Sequence, residues 1–182
     1  MEKEKRVNRE GYLKENYHYF HLRDTAGQER DFHFHEFDKV VLLLSGHVDY
    51  TVENVTYALK PWDVLLVKHH TIHKALIDKT EPYDRVIIYL DGKYFDRIMP
   101  TAGLMDCFEK ADKDGRQLIT PDNEQQEHLV AALEDFEAAM RDEELGAEAI
   151  RDTRMVQLLV LINRIYASGS AAPERTEGAR DP

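Results

Sequence analysis

Six of the nine histidines in this chain fall between His33 and His73, and two of those six are separated by a single residue, in His33-Phe34-His35. On an extended strand, residues two apart point the same way, so both imidazoles face one side. His73 follows another short strand-like run and reaches the same space if the chain folds back on itself. Three converging imidazoles make a site for a divalent transition metal when a fourth ligand joins them. Without that ligand they line a pocket and hydrogen-bond within it. Lys39 shares their face, and an ammonium there opposes a cation and supplies no anionic ligand. Glu36 and Asp38 fall on the other face unless a bulge intervenes. The pattern therefore favours no metal cofactor, and His33, His35 and His73 are the ligands if one binds.

The same residues suit a pocket for a small polar or anionic molecule. Lys and His donate to carboxylates and hydroxyls, and flat aromatic rings supply apolar walls. The expected ligand-binding set is His33, His35, Lys39, Tyr50 (or Tyr57), Trp62 and His73. Tyr50, Tyr57 and Trp62 read equally well, one by one, as core or rim packing. Protonation of the histidines would make binding depend on pH near neutrality. His69-His70 reads as a loop pair on the rim. Other chemistry is weak: Cys107 has no histidine placed to activate it, Ser45 and Ser168 sit beside glycines in turns without a nucleophile elbow, and no phosphate-binding glycine loop is present. No catalytic residue is assigned.

These side chains need a scaffold of short strands. Between about Tyr17 and Leu90 the chain alternates strand-like runs with turn signals. Lys39–Leu44 is strongly apolar and stopped by Ser45-Gly46. Val48, Tyr50 and Val52 alternate, as do Val55, Tyr57 and Leu59, and Glu53-Asn54 between them predicts a hairpin whose Asn takes positive φ. Asp63–Val67, Lys74–Ile77 and Arg85–Leu90 complete a series typical of a sandwich or small barrel. The period then changes. Lys93–Met99 and Gly103–Ala111 read as short helices. Thr120-Pro121 predicts a helix start, with Thr120 as N-cap. Leu129, Leu133, Phe136 and Met140 form one apolar stripe. Gly146 separates that helix from a second, about 148–166. There Met155, Leu158, Leu159, Ile162 and Ile165 pack on the chain's own hairpin and barrel, or on a second copy. The expected organisation is a flexible arm (1–16), a barrel (17–92), a helical dimerisation segment (93–166) and a linker or tail (167–182).

The spacing resembles a known family. Gly27, His33-x-His35, Lys39 and Gly46 follow the first cupin motif position by position, with Lys39 where metal-binding cupins carry glutamate. Pro61 begins the looser second motif and His73 ends it. Trp62 stands where the version in AraC-type proteins has Gly before Asp63, and Ile77 where metal cupins often have Asn. With the helical pair and the linker behind the barrel, the order resembles the N-terminal, effector-binding and dimerisation half of AraC-type transcription regulators. The resemblance implies a mainly β fold, a cupin-like (double-stranded β-helix, jelly-roll) barrel followed by an antiparallel helical pair. It also implies a small-molecule effector, a homodimer through Met155, Leu158, Leu159, Ile162 and Ile165, no enzyme activity, and DNA contact only through a C-terminal helix-turn-helix domain absent from this chain. The other reading is a stand-alone metal-dependent cupin enzyme, a dioxygenase or isomerase using His33, His35 and His73.

Composition sets the outer bounds. The chain has 182 residues, 42% hydrophobic and 32% charged, an ordinary globular balance. A formal charge of −11 does not neutralise phosphates, so this chain is not expected to grip nucleic acid or an anionic membrane by itself. One cysteine forms no internal disulfide, and residues 1–8 lack the apolar core of a signal peptide, which predicts a cytoplasmic protein.

Overall fold

The run Val40–Leu44 is apolar on both strand faces, which is the composition of a strand with a packed layer on each side. The computed structural model describes residues 8–25, 31–169 and 176–177, and it places this run in such a wall. Two sheets face each other. The first contains, in spatial order, β1 (Asn8–Arg9), β3 (His33–Phe34), β8 (His73–Ile77), β5 (Val48–Val52), β6 (Val55–Leu59) and β11 (Thr176–Glu177). The second is β10 (Leu118–Ile119), β7 (Val64–Val67), β4 (Asp38–Ser45), β9 (Tyr83–Leu90) and β2 (Tyr17–Asp24). Pairing is antiparallel except between β1 and β3.

Alternation along β4 and β9 sorts two cores. Val41, Leu43, Leu65 and Val67 point inward, to meet Val48, Tyr50, Val52, Tyr57 and Leu59 of the first sheet. Val40, Leu42, Leu66, Val86, Ile88 and Leu90 point outward, under the helices. Those helices are α1 (Gly92–Ile98), α2 (Asp106–Asp114), α3 (Asn123–Met140) and α4 (Ala147–Ala167). Among the described residues no helix covers the first sheet, and Asp49, Ala58 and Leu76 on its outer face are exposed.

Several local expectations shift. The N-cap of α3 is Asp122, not Thr120: Asp122 accepts from Gln125 N and Gln125 accepts from Asp122 N, a reciprocal capping box. Thr120 instead donates to Asp63 (2.7 Å). In the β5–β6 hairpin the left-handed residue is Glu53 (φ 52°) rather than Asn54, because Glu53 is tied to Ile72 by both its N–H and its carboxylate. Met140 ends its stripe in solvent. Gly46 answers a real steric demand: its φ is 95° and a Cβ there would lie 2.7 Å from the Pro82 carbonyl.

The largest correction concerns the expected subunit interface. Met155, Leu158, Leu159, Ile162 and Ile165 are 0–2% exposed within the single chain. They fill the space between α4, α2, α3 and the outer face of the second sheet, where each large apolar side chain gains about 1.5–3 kcal/mol on burial. A second copy cannot reach them. Residues 1–7 of the expected arm, most of the expected linker and Gly27 of the first motif lie outside the described residues.

Candidate functional site

Between the two sheets lies a cavity of about 580 Å³. His33 and Lys39 line it from β3 and β4, His35 from the link between them, and Tyr50, Ala75 and Ile77 from β5 and β8. The odd-numbered positions of β9 (Tyr83, Arg85, Ile87, Tyr89) and the even-numbered Phe20, Leu22 and Asp24 of β2 complete the wall.

The histidines converge as expected. Ring centroids are 4.9 Å apart for His33–His35, 4.4 Å for His33–His73 and 5.0 Å for His35–His73. Backbone carbonyls fix their tautomers. His33 Nδ1 donates to Asp31 O (2.8 Å), His73 Nδ1 to Thr71 O (3.0 Å), and His35 Nδ1 to Glu10 O. A carbonyl only accepts, so each Nδ1 carries a proton. His73 Nε2 is buried without a hydrogen-bond partner. Burial, helped by the Lys39 charge, pulls the pKa of His73 down to about 2. This corrects the expectation of titration near neutrality for that residue, which stays uncharged throughout the physiological range.

Lys39 is 5% exposed and donates to Tyr50 Oη (3.3 Å). Lys39 thus places an amino group beside the histidines at this end of the cavity. Some four residues along the barrel stands Arg85, opposite Leu43 in the register. Its Nη1 donates to Asp24 (2.7 Å) and to Tyr83 O (2.9 Å), and its guanidinium lies 4.3 Å from the Tyr83 ring centre.

Of the expected ligand-binding residues, the structure brings together His33, His35, Lys39, Tyr50 and His73. It does not bring Trp62. That residue sits in the β6–β7 turn at φ 74°, the left-handed conformation glycine favours, and its half-buried ring packs against the outer core. Tyr57 is inside the barrel, but its hydroxyl is taken by Gln117 and Gly115 at the far side. Sequence reasoning missed Arg85, Asp24, Phe20, Tyr83 and Tyr89. The alternation of Tyr83, Arg85, Ile87 and Tyr89 against Val86, Ile88 and Leu90 carried the signal. His69 also has a role beyond the rim: its backbone N–H and Nδ1 both bond to buried Asp38 on the opposite face of β4 (2.8 and 2.9 Å). Cys107 is buried and burial raises its thiol pKa to about 12, which leaves it unreactive.

As a metal site the cluster is half complete. One nitrogen from each of His33, His35 and His73 lies within 4.8 Å of the others, and the Nδ1 anchors match the outer-shell bonds that orient metal-ligating histidines. The three donors fit a divalent transition ion. No carboxylate joins them among the described residues, and Lys39 brings a like charge.

Residues 16–159 match the AraC-like ligand binding domain. This chain belongs to the AraC-like ligand-binding domain family. Solved structures similar to this AraC-like domain include a cupin superfamily protein from Desulfitobacterium hafniense (23% identity, TM-score 0.38, covering 43% of this chain and 71% of that one). KdgF from Halomonas sp. is another (18%, 0.37, 44% and 75%). A third is the DMSP lyase DddQ from Ruegeria pomeroyi (17%, 0.37, 42% and 39%). No curated protein matches in sequence. The described residues of this AraC-like domain form two facing, mainly antiparallel sheets followed by C-terminal helices, as the sequence led us to expect. No helix among the described residues is long and apolar enough to cross a membrane.

Proposed function

We propose that this barrel is the sensor of an AraC-type transcription regulator and that its effector is a small anionic molecule held in the lumen. The observation that carries the reading is the buried ammonium of Lys39 facing a cavity of about 580 Å³. In this reading the effector carboxylate or phosphate accepts from Lys39 at the end of the cavity that His33 and His35 line. Two copies pair, and DNA is contacted through a separate helix-turn-helix domain. With the five α4 residues committed to the core, pairing falls to the outer helical face, where Val156, Val160 and Leu161 are only partly buried. A thermal-shift survey of small carboxylates, sugar acids and phosphates tests the sensor reading. A stabilising anion that loses its effect in Lys39→Met supports it; anions that stabilise the variant equally well would overturn it. Light scattering reporting a monomer at high concentration would refute the pairing.

A metal-dependent cupin enzyme is the second reading, favoured by the convergence of His33, His35 and His73. Those three residues would hold the ion, which would act as a Lewis acid on a bound oxygen. Lys39 would have to turn away from it. Elemental analysis of protein grown with added metals decides between the two.

A further inference from the structure

The connection between β7 and β8, residues 68–72, ties the histidine end of the cavity to the helical layer. On the cavity side, His70 N–H donates to the backbone carbonyl of His35 (2.7 Å), and Thr71 O accepts from His73 Nδ1 (3.0 Å). Behind the wall, His69 bonds through its backbone N–H and through Nδ1 to Asp38, the neighbour of Lys39 on β4 (2.8 and 2.9 Å). On the helix side, Lys68 Nζ donates to Glu109 (2.8 Å) and Asp112 (3.5 Å) of α2. The two ends of α2 are fastened in turn to the end of α4. Cys107 N–H donates to Asn163 Oδ1 (3.0 Å), and Arg116, just beyond α2, donates to Tyr166 O (2.8 Å).

This loop is held under strain. His70 has φ 64°, a left-handed backbone that residues with a Cβ disfavour. Its N–H bond to His35 and the neighbouring bonds at Asp38 keep it there. When those bonds slacken, the backbone gains by returning to negative φ, so the loop has two discrete arrangements instead of a continuous range. Its anchors lie in the interior: Asp38 is 5% exposed and His73 1%. Close-packed surroundings pass a small shift of either residue on to the loop rather than absorb it. Helix α3 is bonded elsewhere, to Tyr19 and His21 through Glu137.

Resting on the sensor reading above, we propose that residues 68–72 are a strained latch that relays cavity occupancy to α2 and to the end of α4, where the expected linker begins. A ligand that binds one arrangement of the latch more tightly than the other shifts it, and Lys68 carries the shift to α2. The coupling is reciprocal, so it is measurable with no ligand present. Glu109→Lys, at an exposed position on α2, breaks the helix end of the relay. 15N NMR of the full chain then follows exchange of the His73 Nδ1 proton with water. Exchange about fivefold faster than in the unmodified protein is expected, the lower end of usual couplings between sites, with the amides of α3 unchanged. His70→Gly, which keeps the backbone donor and removes the strain, should slow that exchange, both alone and in the Glu109→Lys background. An unchanged His73 proton in Glu109→Lys overturns the proposal. Exchange no slower in His70→Gly removes the strain, and the latch with it. Loss of protection that spreads equally to α3 also overturns the relay, because that is global destabilisation. No anion enters these measurements, so a negative result leaves the sensor reading standing, and a failed anion survey leaves these rates as they are.

Discussion

Acidification should expose the neutral state forced on His73. In the folded protein its pKa is about 2, against 6.5 for an ordinary imidazole. Between those values the unfolded chain holds a proton that the folded chain rejects. Stability is therefore fully present above pH 6.5 and declines as pH falls, by about 1.4 kcal/mol per unit. By pH 4.5 the loss from this group is roughly 3 kcal/mol. Asp38 and Asp63, whose pKa values burial raises, act with the opposite sign, but equally in any variant that keeps them. His73→Gln isolates the term. Urea unfolding of chelator-treated protein at pH 7.5, 6.5, 5.5 and 4.5 should show the unmodified chain losing stability faster than the variant below pH 6.5, by about 1.4 kcal/mol per unit. Parallel curves would mean that His73 takes up protons in the fold, and the assignment of its Nε2 as a buried lone pair would be wrong.

Other outcomes are equally specific. Leu159→Ala, at a fully buried site, should cost about 3 kcal/mol, measured as a concentration-independent loss in denaturant unfolding; a small cost that grows on dilution would return Leu159 to a subunit interface. Gly46→Ala should cost about 2 kcal/mol or more, from its left-handed backbone and the Pro82 carbonyl, seen as a lowered thermal midpoint. Asp122→Ala should remove about 1 kcal/mol by opening the α3 capping box. Lys39→Glu should strengthen Co(II) binding, followed by visible absorption, because it exchanges a like charge for a carboxylate ligand.

The strands were legible from a period of two in β5 and β6 and from short continuous apolar runs in β4 and β7, and the histidine cluster because His33 and His35 share a strand face with His73 opposite in the register. Trp62 was misplaced because a left-handed turn residue does not follow strand alternation; the signal was Pro61 before it, in a turn closed by Asp63 N–H on the Lys60 carbonyl. Arg85 escaped notice because a lone arginine in an apolar strand reads as surface until its inward face is known. The five α4 residues were misassigned for a different reason. Periodicity shows that a helix is apolar on several sides, but not whether its neighbour belongs to the same chain.

The two walls of the barrel are not equal in their freedom to change. The second sheet is a party wall: Ile87 and Tyr89 face the ligand space while Val86, Ile88 and Leu90 on the same strand seat the helices. A strand displacement that accommodates a bulkier ligand there must be absorbed by the helical layer, since packed interiors transmit small shifts rather than damp them. The first sheet has no helix behind it among the described residues. Tyr50, Ala75 and Ile77 can be exchanged, and their strands can flex outward, without disturbing a second core. Drift in what the barrel recognises should accumulate on that side, while the helix-backed side stays conservative and carries news of occupancy to the rest of the molecule.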